Sequence, residues 1–236
     1  MNTRIKNYWI ATIVTGLLTL ATAIWLGGQF PSDFAEPSAD YRAPIMAFEF
    51  AKTPADLMPI FGPANDPAQA ARQDAMDKGH DGDWVFLIIY NLYIASFFMA
   101  CYRKTGRKLM LLGLLIAITA ALTDIWENAI LRDLTRALDD TDAATVLLGQ
   151  LHSATWAKWF ALGLGAGLAA AALYRDKHQI LALLALPGCL LALPAFFDPR
   201  SYATLFADMI GLWFLIMLIA AVLNYRRADV SNAAAL

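Results

Sequence analysis

Between Leu109 and Leu131 the chain reads LMLLGLLIAITAALTDIWENAIL, which carries Asp124, Glu127 and Asn128 near one end. The run is long enough to cross a hydrocarbon layer of about 30 Å. Ionisable groups inside such a span face the protein interior, where they pair or serve a site. Positions 124, 127 and 128 share one face of a helix, and Ala117, Ala120 and Ala121 continue it with small side chains that let another helix approach closely. The run therefore predicts a membrane-spanning helix with a polar, inward face.

Five more apolar runs accompany it, at Tyr8 to Gly28, Trp84 to Cys101, Ala154 to Tyr174, Ile180 to Phe197 and Thr204 to Tyr225. With 59% hydrophobic and 16% charged residues and a mean hydropathy of +0.50, the chain is too apolar for an ordinary soluble domain. The expected fold class is all-α: a polytopic transmembrane helical bundle of six spans in a single integral membrane domain over 1–236, with 29–83 as a short helical extracytoplasmic cap. Ala21-Thr22-Ala23 resembles a signal-peptidase site, but the apolar run continues past it through Ile24, Trp25 and Leu26, which favours an uncleaved first span.

Basic residues flanking membrane helices are retained on the cytoplasmic side. With the N-terminus inside, the inner segments carry Arg4, Lys6, Arg103, Lys104, Arg107, Lys108, Arg175, Lys177, Arg226 and Arg227, and the opposite side receives Asp133, Asp139, Asp140 and Asp142. The expected location is a plasma membrane, a bacterial inner membrane, with both termini cytoplasmic. The segment 29–83 holds seven of the ten prolines and ten of the twenty acids against four basic residues, so it belongs outside. Within it, Thr53-Pro54-Ala55-Asp56 starts a helix that Gly62-Pro63 stops. Asp66-Pro67 starts another, expected to end at Gly79. Ile45, Met46, Phe48 and Phe50 around the lone Glu49 suggest a stretch lying on the membrane or on other helices. Fifty-five residues with so few large apolar side chains build no core of their own, so the segment is read as a cap over the span ends, with a plain surface loop as the alternative. Pro187-Gly188 and Pro194 predict a kinked or broken fifth span, and Gly163-x-x-x-Gly167 a close-packing surface toward a neighbouring span.

Counting depth at about 1.5 Å per residue brings Asp124, Glu127, Asn128, His152, Lys158 and Asp208 into one layer near the outer ends of spans three, four and six. These six are the candidate ligand-binding residues, with Tyr90, Tyr93 and the deeper Asn91 nearby. Asp124 with Lys158 is the expected internal pair, readable either as part of a site or as a structural clasp. Asp124, Glu127 and Asp208 against Lys158 leave an excess of carboxylate, which protons, a metal or a cationic ligand group would balance. Glu127 and His152 are the candidate catalytic residues as a general acid/base pair, and the competing reading is an interfacial hydrogen-bond network. His80 could join His152, but without metal-ligand spacing the two are a weak signal; Trp84, Trp126, Trp156 and Trp159 read as interface aromatics.

The expected partners are membrane lipid and an amphiphilic small molecule. A net charge of −2 and the absence of any nucleic-acid motif exclude that partner class. No metal or cofactor is expected: three histidines and two well-separated cysteines give no ligand spacing, and phosphate loops, dinucleotide fingerprints, Gly-x-Ser-x-Gly elbows and His-Glu-x-x-His helices are missing. No internal repeat of the kind that builds many carriers is visible. The pattern points to an integral membrane protein with a polar pocket for an amphiphile or lipid headgroup, the alternatives being a lipid-modifying membrane enzyme, a proton-coupled carrier and a non-catalytic scaffold subunit.

Overall fold

Six helices long and apolar enough to cross a membrane close into a ring, so the chain is an all-α, multi-pass membrane protein. The computed structural model describes residues 3–36 and 40–233, with side chains over 5–36 and 40–227; Arg4 lies outside the described side chains. Among the described residues all regular structure is helical. The elements are α1 (Thr3–Gly27), α2 (Pro44–Glu49), a 3₁₀ turn (Pro54–Leu57), α3 (Met58–Phe61), α4 (Gln69–Thr105), a second 3₁₀ turn (Lys108–Leu111), α5 (Leu112–Arg136), α6 (Thr141–Arg175), α7 (Gln179–Ala185), α8 (Pro187–Leu190), α9 (Ala192–Phe197) and α10 (Pro199–Ala233).

Helix α5 shows why the ring forms. Leu112, Leu115, Ile118, Leu122, Ile125 and Trp126 are exposed along one side, whereas Ala117, Ala120, Asp124, Glu127 and Asn128 are buried on the other, as their spacing requires. The small inward residues bring α4 and α6 close on either side. Helix α1 packs on α4 and α10: Trp9 meets Phe97 edge-on, the Thr15 and Ser96 hydroxyls hydrogen-bond at 3.0 Å, and Tyr93 of α4 donates to the Phe214 carbonyl of α10 at 2.7 Å. The fifth span is broken into α7, α8 and α9 at Leu186, just before Pro187, and at Leu191, ahead of Pro194. Gly163 and Gly167 of α6 face these pieces, Gly163 against the Gly188 carbonyl and Gly167 against Cys189, so the glycine pair packs within the chain.

Gly79 does not end a helix. Helix α4 runs unbroken through Gly79 and Gly82 for 37 residues, about 55 Å at helical rise. The glycines serve close approach instead: a Cβ on Gly79 would overlap the ring of Phe30, and one on Gly82 would press on Leu26 and Trp25. The long ends of α4, α5 and α6 extend beyond the main apolar core, and a second core gathers there. Phe48, Leu57, Ile60 and Phe61 from the connecting segment pack with Met76, Leu131, Leu134, Leu148 and Leu151. Thr53 and Asp56 form a capping box and Gly62 closes the short helix at φ 81°. Arg42 pairs with Asp208, and Arg200 with Asp56, tying the segment to the start of α10.

Trp156 and Trp159 depart from the interface reading. Both are buried, Trp156 beside Phe50 and Phe196, and Trp159 against Phe206, while Trp126 is exposed on the flank.

Packing at the α4–α5 crossing yields a stability test. A Cβ on Gly113 would overlap the ring of the fully buried Phe98, whereas one on Gly149, within α6, meets nothing within 4 Å. Gly113→Ala is expected to destabilise the bundle by about 1–3 kcal/mol, and Gly149→Ala to leave it unchanged or gain roughly 0.5–1 kcal/mol from better helix propensity. Thermal unfolding in mild detergent measures both; equal stability of the two variants would refute the close crossing.

Candidate functional site

Lys158 of α6 is 7% exposed and its ammonium reaches three carboxylates. Glu127 is the nearest, in direct hydrogen-bond contact, with Asp124 at 3.3 Å and Glu49 at 3.5 Å. The Trp159 ring lies 5.4 Å from the ammonium and its indole N–H donates to Glu49 at 3.2 Å. Thr155, one turn before Trp159, donates its hydroxyl to Glu127 at 2.5 Å and also approaches the Glu49 carbonyl at 3.2 Å. Tyr90 of α4 donates to Asp124 at 2.7 Å. Asn128, one turn beyond Asp124 on the same face, donates to Asp83 at 2.6 Å.

Local sequence explains the convergence. His80, Asp83, Leu87 and Tyr90 follow each other at three- and four-residue steps on α4, so they form one stripe. Asp124, Glu127 and Asn128 do the same on α5, and Thr155, Lys158 and Trp159 on α6. Three adjacent helices each present one polar stripe at the same level, and α2 lays Glu49 across them. Burial pushes the Glu49 carboxyl above its ordinary pKa, Lys158 pulls it back, and the charge of Asp124 raises it again.

Beside this cluster lies a cavity of about 320 Å³. Glu49, Asp83, Asp124, Asn128, Lys158 and His80 line its polar side; Leu20, Leu26, Phe30, Met46, Phe86, Ile210 and Phe214 line the rest. Glu127 is wholly buried behind Lys158 and does not reach the cavity wall. His80 does, at 1% exposure, with both ring nitrogens lacking a hydrogen-bond partner and with Phe30 edge-on to its ring. Ala23 of α1 and Gly211 of α10, both exposed on the flank of the bundle, lie at the cavity margin.

Of the six residues that sequence placed in one layer, four come together: Asp124, Glu127, Asn128 and Lys158. Asp208 does not join them. Its side chain is 42% exposed and is held by Arg42 through two hydrogen bonds of 3.0 and 2.9 Å. His152 does not join either, because six residues separate it from Lys158 and turn it to another face, where it packs with Trp156 and Phe196. The Glu127–His152 acid/base pair is therefore not assembled. Asp124 and Lys158 do meet, but within a larger group in which Glu127 is the closer partner. Sequence reasoning missed Glu49, Asp83 and Thr155 as members. Asp83 falls one residue before the apolar run that begins at Trp84, where hydropathy stops marking the helix. Glu49 did carry a signal, as the lone acid in an apolar stretch.

Comparison of the chain with family models, curated proteins and solved structures gives no match. Among the described residues no group of His, Cys, Asp and Glu is arranged to hold a metal ion.

Removing one side of a buried ion pair leaves the other uncompensated and costs about 3–5 kcal/mol. Lys158→Met is thus expected to destabilise the bundle by that order. Adding Glu127→Gln to it should recover more stability than adding Asp124→Asn, because Glu127 has the closer contact. Unfolding of the singles and doubles in detergent measures both couplings, and strictly additive losses for Glu127 with Lys158 would contradict the pairing.

Proposed function

We propose that the protein binds a lipid-like amphiphile in the cavity between α1, α2, α4, α5, α6 and α10, with the headgroup against the carboxylate cluster and the apolar portion along the apolar walls. The observation that carries this reading is the division of one cavity into a charged wall and apolar walls. Ligand pockets are mostly apolar with a few convergent polar groups, and about 320 Å³ falls in their usual range. Acid/base catalysis by Glu127 is disfavoured by its place behind Lys158, and by His152 lying on another face.

The reading extends to topology. Lys104, Arg107, Lys108, Arg175 and Lys177 gather at the end of the bundle opposite the connecting segment, which supports a plasma membrane, a bacterial inner membrane, with both termini cytoplasmic and 29–83 as the extracytoplasmic cap. The pocket then lies in the outer half of the bilayer, and lipid reaches it between α1 and α10. An impermeant thiol reagent applied to intact cells should label a cysteine introduced at position 66 and spare one at position 104; the reverse pattern would invert the topology.

Native mass spectrometry after gentle extraction is expected to find a bound amphiphile. Gly211→Phe adds a ring at the cavity margin where a Cβ meets nothing within 4 Å, so it should strip that mass while helical content and monodispersity in detergent are retained. An apo mass for the unaltered protein, or an occupant indifferent to Gly211→Phe, would remove this cavity as the binding site.

A further inference from the structure

Three carboxylates, Glu49, Asp83 and Asp124, line the cavity together with a single cation, Lys158. Lys158 already has Glu127 as its closest partner, and Glu127 is further satisfied by Thr155. The nearby Arg132 is turned to Asp81. With Glu49, Asp83 and Asp124 ionised, the cavity wall holds more negative charge than the protein's own cations meet. A carboxylate can accept about four hydrogen bonds, yet Asp83 receives a hydrogen bond only from Asn128 among the described residues. It is partly exposed and lines the cavity.

His80 adds an independent observation. It is buried, lines the same cavity, and has no hydrogen-bond partner on either nitrogen. Buried polar groups in native proteins are almost always satisfied. A neutral imidazole offers one acceptor nitrogen, which an N–H donor entering the cavity would meet. An anionic headgroup would instead face three carboxylates, and a neutral one would leave their charge uncompensated in a low-dielectric site.

We infer that the occupant carries a cationic headgroup, a primary amine or ammonium with N–H donors on an apolar chain, received by Asp83, Glu49 and Asp124 with His80 as a further acceptor. This rests on the amphiphile-binding reading above and narrows it to one class of headgroup. The ammonium contributes the charge the wall lacks and several donors for acceptors that are otherwise short of them. Its chain lies along Leu20, Met46, Phe86 and Phe214 on the apolar side.

The test uses the full chain in nanodiscs of phosphatidylcholine, a lipid without net charge, titrated separately with dodecylamine, dodecan-1-ol and dodecanoate, with bound mass read by native mass spectrometry. Dodecylamine is expected to bind at least about tenfold more tightly than the alcohol, and dodecanoate more weakly still. Asp83→Asn should erase the preference for the amine, bringing its affinity to that of the alcohol in the same variant, and Glu49→Gln provides the same reading should Asp83→Asn fail to accumulate. Equal binding of amine and alcohol, or tighter binding of dodecanoate, would overturn the cationic headgroup and leave the amphiphile pocket standing. Failure of all three probes to bind would overturn both. An amine preference that survives both substitutions would also overturn the inference, because the selectivity would not arise from this cluster.

Discussion

A lysine ammonium placed among membrane helices has to be surrounded by acceptors, because the surrounding hydrocarbon offers none. Lys158 of α6 meets that requirement by drawing Glu49 of α2 and Asp124 and Glu127 of α5 to one point. The consequence extends beyond the pair energies. Attraction between buried charges is largely offset by their desolvation, so the cluster's main effect is on register. Helices α4, α5 and α6 reach their common polar level only when Tyr90, Asp124, Glu127, Thr155 and Lys158 are in step. A one-turn slip of any one helix would strand a charge.

The same constraint explains the connecting segment. Glu49 can reach Lys158 only if α2 lies across the bundle end, and α2 is fixed there by Phe48 and Phe50, buried beside Phe61 and Trp156 respectively. The surface pairs Arg42–Asp208 and Arg200–Asp56 hold the same segment from the other side, where exposure limits each to a small contribution. Asp208, which sequence placed among the polar groups of the interior, is one of these outer fasteners. The segment therefore spans the bundle end from the buried cluster to the first turns of α10.

How much of this was legible in the sequence depends on which signal each residue carried. The spans followed from hydropathy, and the inward face of α5 from the spacing of Ala117, Ala120, Asp124 and Asn128. The breaks at Pro187 and near Pro194 followed from missing backbone donors. Depth counting brought Lys158 to Asp124 correctly, but depth has no angular part. It therefore placed Asp208 in the same layer although its helix turns it elsewhere, whereas for His152 the six-residue spacing from Lys158 is itself legible in the sequence and puts the two on different helical faces. Gly79 was misread because a glycine in a polar stretch looks like a helix end, while its use here, admitting the Phe30 ring, depends on a partner 49 residues earlier in the chain. Asp83 lies just outside an apolar run, where hydropathy stops marking a residue as interior, whereas Glu49 was marked as the lone acid of an apolar stretch but not tied to Lys158, over a hundred residues away in sequence.

The two sides of the cavity are built from different forces, and this decides where an occupant of the proposed pocket would enter. The side formed by α4, α5 and α6 is held by charged hydrogen bonds whose loss would expose ions to lipid. The side formed by α1 and the facing part of α10 is lined by Thr19, Leu20, Ala23, Ala207, Ile210 and Gly211. No charge lies among them. Apolar helices in a membrane associate through packing, with little hydrophobic driving force, because lipid tails replace the lost contacts. Separating α1 from α10 near Ala23 and Gly211 therefore exchanges like for like, whereas parting α5 from α6 does not. An occupant of the proposed pocket that came from the bilayer would meet the uncharged side first, and its headgroup would reach the carboxylates without passing the bundle end covered by α2.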